Sequence, residues 1–208
     1  MGELNETTQK LVVADTGPLL CAGAYKKSMG TALLHKRKGR LHVPQVVAYE
    51  LRRLSRSSGS RPQVVVNAAS KMLSRGPSDL MTIETTMPSQ TDRLPVRNAI
   101  LDAERERAQR RRQEPKLQGH DGEVDAILLA EKRNAILITN DRAAYRVAAN
   151  RGILVTTYAG LLASELVSGQ FTADEVIAEC FQFEVDIDCG LSQLNAMTLT
   201  GTVYPDGL

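Results

Sequence analysis

DGEVDAILLAEKRNAILITNDRAAYRVAANRGILVTT, residues 121–157, changes its period three times, and those changes decide the fold. Val124, Ile127 and Leu128 recur at helical spacing, which predicts a helix over 121–133. AILIT (135–139) is a short apolar, β-branched run and predicts a strand. DRAAYRVAANRG (141–152) returns to helical spacing with a glycine stop, and ILVTT (153–157) predicts a second strand. TYAGLLASELVSG then adds a helix. Apolar strands alternating with helices predict an α/β fold of three layers, αβα, around a central, mostly parallel sheet.

The chain N-terminal to this stretch extends the pattern. LVVADTGPLL (11–20) is a buried strand that meets Asp15 and stops at Thr16, Gly17 and Pro18, with a helix beginning near Pro18. LHVP (41–44) is a second short strand, and Pro44 opens a helix, QVVAYELRRL. RSSGSRP (56–62) is a Ser/Gly/Pro linker. QVVVNAASKML (63–73) is helical, DLMTIETTMPSQ (79–90) holds a short strand and a loop, and 92–113 is charged and helical in character. Towards the C-terminus, TADE (172–175) has capping-box form and starts a helix to about Phe181. The last 25 residues have no clear period, and there is no internal repeat.

The composition is that of a globular chain of 208 residues, 42% apolar and 24% charged, enough for one sizeable domain with an appendage. No apolar run approaches the ~18 residues of a membrane span, so no membrane partner is expected. MGELNETTQK lacks the basic start and apolar core of a secretory signal. Cys21, Cys180 and Cys189 are odd in number and lack CxxC pairing, which disfavours a disulfide framework or a zinc site. A cytoplasmic location fits best. Charge is uneven: residues 1–62 carry +7, 63–151 carry +3, and 152–208 carry −8 with no Lys, Arg or His. A basic body with an acidic tail suits a polyanionic partner that the tail competes with, or a tail that is merely solvated.

The carboxylates fall where a parallel sheet binds ligands. Asp15 and Asp141 lie at the carboxyl ends of two strands far apart in sequence, and the crevice outside such ends is the ligand site of open α/β sheets. Glu50 sits in the second turn of the helix after the LHVP strand. Asp121 and Asp125 border one edge of the buried face of the 121–133 helix, and Glu123 borders the other. Each has a plain structural role open to it: Asp15, Asp121 and Asp141 as helix caps, Glu123 as a helix-dipole partner, Glu50 in a surface pair with Arg53. Acids crowded into one crevice repel, and a hard divalent cation resolves the repulsion. Mg²⁺ and Mn²⁺ prefer oxygen donors and suit phosphate substrates. Acidic crevice plus basic body is a nuclease-like combination.

The order VVADTGPLL, VPQVVAYEL and GEVDAILLAEKRNAILITNDRAAYRVAANRGI resembles the PIN-domain family, over roughly residues 10–165. This family is similar in fold to the flap-endonuclease-type nucleases and includes the ribonuclease toxins of VapBC-type toxin–antitoxin pairs. DTGPLL and ILITNDR are the most specific parts; no motif covers about 56–118. The resemblance implies a PIN-like nuclease domain over 8–165, with an insert at about 56–118, and an acidic C-terminal extension over 166–208. Its acidic set falls on Asp15, Glu50, Asp125 and Asp141, with Thr139 beside the metal site. It implies Mg²⁺ or Mn²⁺ held by Asp15, Asp125 and Asp141, with Glu50 and Glu123 as further candidates. The implied cap is Asp121 and the implied ligand Asp125, with Glu123 undecided.

The implied activity is a metal-dependent endoribonuclease that hydrolyses RNA phosphodiester bonds, the toxin of a type II pair with a cognate antitoxin or a related RNA-processing enzyme, and a homodimer. The alternative is a non-catalytic PIN-like module that binds RNA or protein. A haloacid-dehalogenase-like phosphatase would have a second Asp two residues after the first, where this chain has Gly17, and a receiver's additional acids and late Lys are not visible. The distance from Glu50 to Asp125 exceeds that of a minimal toxin and includes AERERAQRRRQEPK (103–116). Arg107, Arg110 and Arg111 share one side of that helix and are candidate RNA contacts, unless pairs such as Glu106–Arg110 merely solvate it. The extension is expected to restrain the nuclease or to complete a dimer.

Overall fold

A computed structural model describes residues 10–24, 40–57, 59, 61–75, 80–115, 117, 119–167, 172, 174, 175, 178 and 179. Cys180, Cys189, the expected helix end at Phe181 and nearly all of the acidic extension lie outside the described residues. The strands among the described residues are β1 (Val12–Ala14), β2 (Leu41–Pro44), β3 (Met81–Glu84), β4 (Ile136–Ile138) and β5 (Val155–Thr156). The helices among the described residues are α1 (Thr16–Ala24), α2 (Gln45–Ser55), α3 (Gln63–Arg75), α4 (Gln90–Arg111), α5 (Asp121–Arg133), α6 (Arg142–Asn150) and α7 (Tyr158–Val167).

All five strands pair in parallel, in the order β3-β2-β1-β4-β5. The expected three-layer α/β architecture is therefore present, with a wholly parallel sheet. Alternation along each strand feeds two cores. Val12, Ala14 and Ile138 join Leu19, Leu51, Met72 and Leu162 on one face. Val13 and Leu137 join Val96, Ile100, Val124, Ile127 and Val147 on the other. The motif-free stretch 56–118 is integral to these layers, since it supplies α3, the edge strand β3 and α4.

The order has one reversal. From β1 the chain builds outward through β2 and β3, then returns to the other side of β1 with β4 and β5. The β1/β4 boundary is the topological switch point, where the loops after the two strands diverge and leave a crevice. Asp15 follows β1, and Thr139, Asn140 and Asp141 follow β4.

β5 is shorter than the expected 153–157, for a local reason. The Ile153 N–H bonds to the Ala148 carbonyl at 3.1 Å, so Ile153 still closes the end of α6. Gly152, at φ +76°, makes that left-handed closure. At Thr172 and Glu175 the capping box forms: the Thr172 N–H donates to Glu175 at 2.8 Å, and the Glu175 N–H to the Thr172 hydroxyl at 3.3 Å.

Candidate active site

Asp15 is fixed from both sides. Its own N–H donates to the Ile138 carbonyl at 3.1 Å, so its backbone continues the β1–β4 ladder. Its side chain is buried. One carboxylate oxygen accepts from the Thr16 N–H at 2.6 Å, the other from the Thr139 hydroxyl at 3.2 Å. Thr139 in turn accepts from the Asp141 N–H at 3.2 Å. One hydroxyl thus ties the acid after β1 to the loop after β4.

Asp141 is the N-cap of α6 and accepts from the Ala144 N–H at 2.8 Å. Between these two acids, Asn140 is buried; its amide oxygen accepts from the Tyr158 N–H at 2.9 Å and its amide nitrogen reaches the Cys21 sulfur at 3.5 Å. That side chain locks the loop after β4 to α1 and α7.

Glu50 comes in from α2. Val47, Ala48 and Leu51 bury one face of that helix, which leaves Glu50 on the border. Its carboxylate accepts a hydrogen bond from the Thr16 hydroxyl rather than pairing with Arg53. The first turn of α5 closes the crevice. A Cβ on Gly122 would stand 3.1 and 3.2 Å from the two Glu50 carboxylate oxygens and 3.3 Å from Asp15 Oδ1. Glycine at this position is what lets the backbone of α5 lie against two carboxylates.

Burial pushes the Asp15 carboxyl well above the usual carboxylate range, and Glu123, Glu50 and Asp141 push it further, against the Thr16 N–H. The structure therefore brings together four predicted acids, Asp15, Glu50, Glu123 and Asp141, with Thr139 among them. These are hard oxygen donors in the number and charge that suit Mg²⁺ or Mn²⁺. As they stand, no three His, Cys, Asp or Glu side chains among the described residues are grouped as a metal-ligand set.

Asp125 is placed differently. It is buried, and its Oδ1 lies 2.7 Å from the Nε of Arg93, which comes from α4. Burial raises its pKa, and Arg93 only partly offsets this. Asp121, expected as a cap, is the first residue of α5 rather than its N-cap; that place belongs to His120, which makes no side-chain cap bond. Asp121 instead pairs with Arg93 at 3.1 Å and with Arg97. Two guanidiniums out-compete backbone N–H groups for its carboxylate because the contacts are charge-assisted.

Of the three arginines singled out in the sequence, Arg107 pairs with Glu104 at 3.1 Å and Arg110 with Glu106 at 3.3 Å. Burial, then Arg111 and Arg107, depress the Arg142 pKa, so these three guanidiniums form one positive group on α4 and α6. Arg142 directly follows Asp141 in the chain. A separate cavity of about 530 Å³ lies between α4 and α5, with Asp125, Leu128 and Pro95 on its wall.

Sequence reasoning missed Thr16, Gly122, Arg93 and Arg97. Arg93 had a signal: with Val96, Ile100 and Glu104 it falls on one buried stripe of α4. A charge on an apolar stripe calls for a buried partner. Gly122 had none, because a glycine in a first turn is ordinary.

No protein-family model matches the sequence, and a search of curated proteins returns no match. None of the helices among the described residues is long and apolar enough to cross a membrane.

Proposed function

We propose that this chain is a PIN-type, Mg²⁺- or Mn²⁺-dependent endoribonuclease. The observation that carries the reading is the convergence of three carboxylates on a fourth, Asp15, at the switch point of a parallel sheet. An acid with its pKa forced up by burial first and like charges second is a functional-site feature, since such crowding opposes folding. Asp15, Glu50, Glu123 and Asp141 would hold the cation; bound there, Mg²⁺ or Mn²⁺ supplies a polarised phosphate and an activated water. Thr139 keeps Asp15 and the Asp141 loop in register. Glu50, on the rim and steadied by Thr16, would bind the cation directly or instead orient the attacking water. Arg107, Arg111 and Arg142 would grip backbone phosphates beside the crevice. RNA as substrate, a cognate antitoxin and a homodimer are proposed from the resemblance, and a cytoplasmic setting from the odd number of cysteines, which form no CxxC motif.

A second reading, a non-catalytic module that binds RNA or protein, draws on the absence of a grouped ligand set among the described residues. One assay separates the two. A panel of single-stranded and structured RNAs is incubated with the full chain in EDTA, Mg²⁺ or Mn²⁺, beside Asp141→Asn. The nuclease reading expects fragments only with metal and only from the wild type. RNA bound but intact under every condition supports the module.

A further inference from the structure

The side of α5 that meets Asp15 and Glu50 is centred on Gly122. At about 100° per residue, Glu123 projects to one flank of Gly122, and Asp121 and Asp125 to the other. Helix geometry alone therefore offers the crevice a carboxylate from either flank. The partner of one flank is in α4. Arg93 is 8% exposed and Asp125 2%. The Arg93 Nε lies 2.7 Å from Asp125 and its Nη2 3.1 Å from Asp121, while Arg97 takes a second contact on Asp121. A planar guanidinium that holds two carboxylates one turn apart resists rotation of α5 about its axis. A buried ion pair is a weak stabiliser beside apolar packing, and its best-attested use is to fix register.

We propose that Arg93 is a positioning residue of the metal site: it holds Asp121 and Asp125 on the flank of α5 opposite Glu123, so that Glu123 rather than Asp125 completes the set with Asp15, Glu50 and Asp141. The inference rests on the metal-site reading above and assigns Asp125 a place outside the ligand set. Glu123 is also among the three carboxylates that act most strongly on Asp15, whereas the strongest charge on Asp125 is Arg93.

The full chain is titrated with Mn²⁺ by calorimetry as wild type, Glu123→Gln, Asp125→Asn, and the double variant Arg93→Met with Asp125→Asn. The double variant removes both charges, so neither is left buried alone, and its thermal melt checks folding. Glu123→Gln is expected to weaken Mn²⁺ binding at least ~10-fold, and Asp125→Asn to leave it at the wild-type value. The double variant is expected to bind ~10-fold more weakly while melting cooperatively. Equal losses in Glu123→Gln and Asp125→Asn overturn the assignment, and this comparison stands even where the double variant fails to fold. A folded double variant with wild-type affinity reduces Arg93 to a structural pair. No Mn²⁺ uptake by the wild type overturns the metal-site reading itself, which is a separate failure.

Discussion

A buried carboxylate beside three others opposes folding, and Asp15 keeps that position through two hydrogen bonds, from Thr16 and Thr139. Gly122 is the matching backbone requirement. Alanine there gains up to about 1 kcal/mol of helix propensity, but its Cβ would stand 3.1–3.3 Å from the Glu50 and Asp15 oxygens. Glu50 is the flexible end of that contact and can give by a few tenths of an ångström. Gly122→Ala is therefore predicted to hold or raise the melting temperature while weakening Mn²⁺ binding about tenfold; calorimetry together with a thermal melt checks both. Asp15 and Asp141 were legible in the sequence because strand ends are marked by a change of period. The choice between Glu123 and Asp125 was not. Both flank Gly122, and the residue that separates them, Arg93, is some thirty positions earlier in a helix that no motif covers.

At the scale of elements, Asp141 does two things that substitution can part. It caps α6 through the Ala144 N–H, and it carries charge into the crevice. Asparagine caps as well as aspartate, whereas alanine costs ~1 kcal/mol, or roughly 2–4 °C in a chain of this size. Asp141→Asn should melt as the wild type does and Asp141→Ala lower, with RNA cleavage lost in both. A second element-scale prediction concerns Glu84, which joins β3 to His42 on β2 at 2.8 Å and to Arg133 on α5 at 2.9 Å. Burial works upward on its pKa, but hydrogen bonds from His42 and Arg133 outweigh it and bring it below the ordinary 4.5. A depressed carboxyl stabilises the fold above its ordinary value and loses that contribution as pH falls through its lowered one. Glu84→Gln should thus lower the urea midpoint at pH 7, by an amount that shrinks as the pH drops below 4.5. The bounds of α5 were legible because its apolar spacing is regular and Asn134 ends it in a left-handed turn. β5 was over-read because ILVTT is rich in β-branched residues throughout, while Ile153 is still engaged in closing α6.

At the scale of the whole molecule, the parallel sheet and the charge pattern carry the account. Helix–strand alternation predicted the layers. It did not predict the strand order, which depends on β3 from the motif-free segment taking the edge beside β2. That order places the reversal between β1 and β4, and so brings Asp15 and Asp141, 126 positions apart, to one crevice. The positive group of Arg107, Arg111 and Arg142 includes the residue that follows Asp141 in the chain. If that group grips phosphates, each charge removed should lower the slope of log affinity against log salt by about 0.7 for a single strand. Filter binding of a single-stranded RNA to Arg142→Gln and Arg107→Gln in EDTA reads this without interference from cleavage.

The central claim is that the four carboxylates at the switch point form a cation site, and it can be tested before any RNA substrate is known. The melting temperature of the full chain is measured as Mn²⁺ is added, for the wild type and for Asp15→Asn. Without metal, Asp15→Asn is predicted to melt higher, because a buried, repelled charge is gone. With Mn²⁺ the wild type is predicted to rise with concentration, as mass action on the folded state requires, and Asp15→Asn to stay level. Equal responses of the two proteins to Mn²⁺, or none from the wild type, would contradict the account.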